Sequence, residues 1–229
     1  MSRLSVVIPA LDEVAALPAL LEDLRALRSA GAELILVDGG SRDGTPELAA
    51  ARVDRLLYSQ PGRARQMNAG AARAGGDYLW FLHADTRLSP ACLAALQQVL
   101  VDEPDWGRFD LRLSGAGPSL WLIGQMINLR SRLTGIASGD QGIFVRRELF
   151  EALGGYADIP LMEDLELCRR LRRVARPRCL RPPLSTSSRR WEQHGTWRTV
   201  WLMWRLRLAY YRGVSPELLA GRYRGGARR

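Results

Sequence analysis

Short, solid apolar runs alternate with leucine and alanine patterns of helical spacing through residues 4–82, and few folds accept that alternation. Leu4 to Ile8 reads as a strand. Leu17, Leu20, Leu21, Leu24 and Leu27 then recur at helical spacing, with Glu22, Asp23 and Arg25 on the other side. Glu33 to Val37 is a second strand, followed by the polar turn DGGSRDGT and a helix from about Pro46. Arg55 to Tyr58 is a short strand, GRARQMNAGAARAGG a helix, and Tyr78 to Leu82 a strand apolar enough to be buried on both faces. This order predicts βαβ units: an α/β fold with a central, mainly parallel sheet flanked by helices. In such sheets the ligand crevice lies outside the carboxyl ends of the strands, which is where Asp38 and His83-Ala84-Asp85 fall.

After Pro90 the rhythm changes. A helix over Ala91 to Val101 leads to a strand-like GRFDLRLSG, a helix-like SLWLIGQMINLRSRL, a Gly-rich GIASGDQGIFV and a helix near LMEDLELCRRL. The expected organisation is one domain over 1–192, an amphipathic helical extension over 193–223 and a basic, disordered tail over 224–229. With 229 residues, 47% of them hydrophobic, one core is readily filled.

The net charge of +9 is carried by arginine alone, since lysine is absent. That fits guanidinium recognition of phosphate or acidic lipid, and equally a genome biased toward arginine codons. Nucleic acid is not an expected partner, because the arginines are not interleaved with aromatics outside the last helix. Three cysteines without CxxC spacing fit a reducing compartment. The N-terminal apolar run is too short for a signal peptide, and no stretch reaches the roughly 18 apolar residues of a membrane span. A cytoplasmic protein is expected, peripheral on the inner face of the membrane if the last helix binds lipid.

Three segments carry chemistry. Asp38, with Gly39, Gly40, Ser41, Asp43 and Gly44 after it, is placed to accept from a ribose hydroxyl or a base N–H; the same turn would serve a helix capped by Ser41 or Asp43. Arg63, Arg65 and Asn68 near a helix start suit a diphosphate, or simply a solvated face. His83 and Asp85 could hold Mg²⁺ or Mn²⁺ together with phosphate oxygens, or have no metal role. A GxGxxG fingerprint and a P-loop are both missing.

Taken together, SVVIPALDE, LILVDGGSRDGT, GRARQMNAG, YLWFLHADT and GDQGIFVRRELFEALGGY…PLMEDLELCRRL resemble a family-2 glycosyltransferase of GT-A fold, in particular a small bacterial branch with HAD in place of DxD. The resemblance covers about Leu4 to Trp191. It implies an inverting transferase using a nucleotide-sugar donor, such as a UDP- or GDP-sugar, with Mn²⁺ or Mg²⁺. On that resemblance Pro9, Leu11 and Glu13 lie along the nucleoside, Asp38 binds base or ribose, and Arg63 faces base or phosphates. Asn68 and Ala84 are counted with the nucleotide site, and Asp85 holds the metal. His83, where a carboxylate is usual, bears on donor-sugar identity. Asp164 matches the catalytic base; Glu163, Gly139, Asp140 and Gln141 would sit by donor sugar and acceptor. SSRRW resembles the QxxRW motif of processive relatives, putting Arg190 and Trp191 near diphosphate and acceptor, but Ser187 replaces its Gln, which favours a single transfer.

Trp197, Trp201, Trp204, Leu208 and Tyr211 share one face of a helix running from His194 to Tyr211, with Arg198, Arg205 and Arg212 in a second stripe. Such a helix could lie on an anionic membrane, pack on the domain, or make a homodimer. Membrane contact would suit a lipid-linked acceptor. Two other readings are a nucleotidyltransferase on a related scaffold, which lacks its N-terminal glycine loop here, and a non-catalytic binder of anionic lipid.

Overall fold

The computed structural model describes residues 3–188 and 195–225. Seven strands form one sheet in the order β3-β2-β1-β4-β6-β5-β7. Its first half is the expected parallel unit: β1 (Leu4–Ala10) lies between β2 (Glu33–Asp38) and β4 (Tyr78–Phe81), and β3 (Arg55–Tyr58) pairs with β2. All of β1 and β4 is buried, as solid apolar runs require in a sheet covered on both faces.

Alternate residues feed two cores. Val6, Ile8, Leu34, Leu36 and Trp80 face α1 (Leu17–Ser29) and α4 (Pro90–Val101). Val7, Ile35, Val37, Leu79 and Phe81 face α3 (Arg63–Ala71) and α7 (Glu163–Val174). Between these lie α2 (Thr45–Ala50), α5 (Pro118–Thr134) and α6 (Arg147–Ala152).

The second half departs from the parallel pattern. β6 (Phe144–Arg146) runs antiparallel to both β4 and β5 (Trp106–Leu113), and β7 (Arg178–Thr186) pairs parallel with β5 at the sheet edge. Neither β6 nor β7 is evident in the sequence pattern. β6 has only three residues, and β7 contains Pro182 and Pro183. The β5–β7 register slips between Phe109 and Leu111, opposite those prolines, and an edge strand with a bulge is where a strand tolerates them.

The C-terminal extension is two helices, α8 (Thr196–Tyr211) and α9 (Pro216–Gly225), broken at Gly213 with φ 85°. Leu206 and Leu219 are buried in the second core, with Leu202, Met203 and Tyr210 packed against it, so the extension shares the domain's core. Trp197, Trp201, Trp204, Leu208 and Tyr211 point outward, so packing on the domain falls instead to the opposite face of α8. The backbone of α9 continues to Gly225, into the stretch expected as a disordered tail; 226–229 lie outside the described residues.

Candidate active site

A cavity of about 830 Å³ opens at the carboxyl ends of β1 and β4. Pro9, Leu11 and Glu13 enter it from the end of β1, Arg63 from the start of α3, and His83, Ala84 and Asp85 from the end of β4. Gly139 and Asp140 of the 3-10 turn Gly139–Gln141 and Glu163 and Asp164 at the start of α7 close the other side. Five segments distant in sequence thus meet in one cavity.

The wall at β1 is held by the DGGSRDGT turn, whose Asp43 also serves the start of α2, Oδ1 accepting the Thr45 N–H at 3.0 Å. Ser41 Oγ accepts from the Asp12 N–H at 2.9 Å, Asp43 Oδ2 from Val14 N–H at 3.0 Å, and Thr45 Oγ1 from Glu13 N–H at 2.9 Å. The turn's polar residues therefore fix the loop that carries Leu11 and Glu13.

Asp38 ends β2 and is buried. Its Oδ2 accepts the N–H groups of Gly40 and Ser41 at 2.8 and 3.0 Å, whereas Oδ1 is sealed from solvent without a hydrogen-bond partner among the described residues. It stands one strand back from the residues lining the cavity. An open buried acceptor is costly, and so marks a position where a ligand N–H would be gained.

Opposite, the acidic groups form a linked set. His83 Nδ1 lies 2.9 Å from Asp140 Oδ1, and a Cβ on Gly139 would stand only 2.8 Å from His83 Nε2, so a side chain there would displace the imidazole. The Gly139 N–H donates to Asp164 Oδ2 at 2.7 Å, and the Leu165 N–H to Asp164 Oδ1 at 2.7 Å. Met162 before them holds a left-handed φ of 72°, an uncommon conformation for a side chain without local polar groups. Acidic residues in this first turn are also favoured by the helix dipole.

Burial pushes the Glu163 carboxyl up, with the Asp164 charge adding to it and Arg63 and His83 opposing. For Asp140 burial is outweighed by the His83 contact and by Arg63 and Arg207, which hold it down to about 2. Arg63, exposed at the rim of the cavity, is raised: partial desolvation there works against its charge, but Glu163, Asp140 and Asp164 favour it more strongly. Buried Cys168 is pushed up to about 12, mainly by desolvation, and stays a neutral thiol.

Three expected residues are elsewhere. The Asn68 amide is spent on the loop before α7, donating to Tyr156 O at 2.8 Å and accepting from Tyr156 N–H at 2.9 Å. Gln141 is fully buried and structural: its side chain accepts from Ser138 N–H and donates to Phe109 O and Ser131 Oγ. Arg65 faces outward to Asp158 and Gln60. Arg190 and Trp191 lie outside the described residues. Conversely, Arg130 of α5 and Arg207 of α8 line the cavity and were not anticipated. In the second case the signal available was an arginine off the Arg198–Arg205–Arg212 stripe and next to the inward-facing Leu206.

No group of three or more His, Cys, Asp or Glu able to hold a metal occurs among the described residues. Asp85 fits a divalent ion in a narrower sense: its carboxylate is half-buried in the cavity and receives no hydrogen bond from the described residues. An ion there would draw its other oxygens from ligand phosphates and water.

A parallel β-sheet half with its crevice at the strand ends, extended by antiparallel β6 and carrying Asp85 opposite Asp164, has the layout of the GT-A fold. The mannosyltransferase PcManGT from Pyrobaculum calidifontis, solved with GDP-Man and Mn²⁺, has the same fold, with a TM-score of 0.64 at 19% identity over 99% of this chain and 69% of that one. The chain belongs to glycosyl transferase family 2, whose family model matches residues 5–153. It is 32% identical over 164 residues to a PGL/p-HBAD biosynthesis glycosyltransferase of Mycobacterium bovis (66% of this chain, 62% of that protein). It is 31% identical over 168 residues to an undecaprenyl-phosphate 4-deoxy-4-formamido-L-arabinose transferase of Yersinia pestis (66% and 51%). The chain thus spans less than two thirds of the length of these relatives.

Proposed function

We propose that the protein moves a sugar from a nucleoside-diphosphate sugar, with UDP or GDP as the carrier, to an oxygen of an acceptor, inverting the anomeric centre. The observation that carries this reading is the presence in one cavity of Asp85, which receives no hydrogen bond from the described residues, and Asp164, held by two backbone N–H groups. Pro9, Leu11 and Glu13 would border the nucleoside, Asp38 Oδ1 would take a base or ribose donor, and Arg63 would face the diphosphate. Asp164 would accept the acceptor's proton as its oxygen attacks the anomeric carbon opposite the leaving diphosphate. Asp85 would hold Mn²⁺ or Mg²⁺ on that diphosphate, which supplies charge neutralisation for the leaving group. His83, locked to Asp140, would border the donor sugar. The undecaprenyl-phosphate transferase among the relatives, the exposed Trp face of α8 and the arginine stripe all favour a lipid-linked acceptor at a membrane surface.

Calorimetric titration with UDP, GDP, dTDP and CDP, each with and without Mn²⁺, tests the reading. One nucleotide should bind in a metal-dependent way, and Asp85→Ala should abolish that dependence. If no nucleotide binds with metal present, the transferase assignment fails and a non-catalytic lipid-binding role takes its place.

A further inference from the structure

Arg130 and Arg207 are the charged groups of the cavity that the transferase reading leaves unused. Nε and Nη2 of Arg130 and Nε of Arg207 are sealed from solvent with no hydrogen-bond partner, and no ion pair is formed by either among the described residues. Burial and the neighbouring Arg207 hold the Arg130 guanidinium down to about 10, and burial lowers Arg207. Two half-buried neighbouring cations whose sealed N–H groups are left open are costly in the free protein. An anion between them would relieve both costs. The carboxylate acting most strongly on each is Asp164, so that anion would sit beside the proposed base.

The surroundings define what else the anion carries. Met126 of α5 and Trp204 of α8 line the cavity and are themselves exposed. Each belongs to an exposed apolar stripe: Leu122, Met126 and Leu129 on one face of α5, and Trp197, Trp201, Trp204 and Leu208 on one face of α8. The two helices meet through Val200, packed on Leu120 and Ile123. A polar acceptor would gain nothing from these walls.

We propose that Arg130 and Arg207 bind the phosphate of a lipid-phosphate acceptor, whose apolar chain leaves the cavity along the α5 and α8 stripes. The inference rests on the transferase reading. A phosphate oxygen forms the new bond to the anomeric carbon as the bond to the donor's diphosphate breaks. The acceptor phosphate's proton passes to Asp164, and nucleoside diphosphate departs.

The test is calorimetric titration of the full chain, and of Arg130→Gln, Arg207→Gln and Arg207→Lys, with farnesyl phosphate, farnesol, inorganic phosphate and the nucleotide. Farnesyl phosphate should bind at least about tenfold tighter than farnesol or phosphate alone, as loss of one charge-assisted contact implies. Each Gln variant should lose about tenfold or more, Arg207→Lys less, all with unchanged nucleotide affinity and a thermal midpoint that is unchanged or raised. Equal binding of farnesol, or equal binding of inorganic phosphate, would overturn the proposal. An equal loss of nucleotide affinity in the variants would assign the pair to the donor diphosphate instead. A lowered midpoint with no ligand effect would make the arginines structural. Failure of the nucleotide to bind the unsubstituted chain would reject the transferase reading while leaving the lipid-phosphate comparison readable.

Discussion

Glu163 and Asp164 are adjacent in one helical turn and are handled oppositely. Each Asp164 oxygen takes a backbone N–H, which fixes the direction of its carboxylate, whereas Glu163 is buried beside it and its carboxyl is pushed up. Asp164→Asn should leave donor binding intact and lower turnover by about 10²–10⁴-fold, read from single-turnover transfer beside nucleotide titration; substantial residual transfer would reject the base. Glu163 binds its proton more tightly folded than unfolded, so its contribution to stability falls as pH rises from the unfolded value near 4.5 through its raised folded value. Glu163→Gln should therefore raise the thermal midpoint at neutral pH, with the gain vanishing in acid below that unfolded value. A gain that persists in acid would point to packing rather than titration. His83 and Asp85 were legible because a strand end fixes where they lie, whereas Asp164 was singled out only by the family resemblance, a helix start being a common place for any acidic residue. Asn68 was not legible: five residues on, it lies about 140° round the helix from Arg63, so one helix start cannot aim both side chains at one cavity.

At the scale of elements, the site depends on how closely α3 approaches the sheet. A Cβ on Gly70 would stand 2.4 Å from Val7 Cγ1 and 3.1 Å from Val37 Cγ2, so only glycine lets the helix sit against both strands. Gly70→Ala should destabilise by about 1–3 kcal/mol through overpacking, lowering the denaturant midpoint without changing the slope. An unchanged midpoint would mean that α3 can shift without loss. β7 shows the opposite limit of sequence reading. Its two prolines argue against a strand, and it exists because it occupies a sheet edge where the bulge removes the ladder bonds proline cannot make.

For the whole molecule, α8 joins the core to the surface. Its inner residues complete the second core, while Trp197 and Trp201 remain exposed beside Arg198 and Arg205, with Arg205 over the Trp201 ring at 4.4 Å. No helix among the described residues is long and apolar enough to cross a membrane. With a net charge of +9, the chain should bind vesicles containing anionic phospholipid and release them as salt is raised. Replacing Trp197 and Trp201 by Ser should weaken that binding several-fold with little change in thermal midpoint. Binding indifferent to anionic lipid, or sedimentation as a dimer that the double variant abolishes, would make this face a protein contact.

Hydrophobic period alone determined the parallel β1–β4 unit, since a doubly covered strand and a one-sided helix leave different, local patterns. It also put Asp38, His83 and Asp85 at strand ends, and connectivity brings His83 and Asp85 into the crevice with Asp38 one strand behind them. What only the tertiary structure decided is which side chains have their hydrogen bonds taken and which are left open. Asn68 and Gln141 are consumed by backbone partners 88 and 32 residues away. Arg130 and Arg207, on helices separated by most of the second half of the sheet, are brought into one cavity with open donors. Such pairings depend on long-range packing, which the local periodicity of a sequence does not encode.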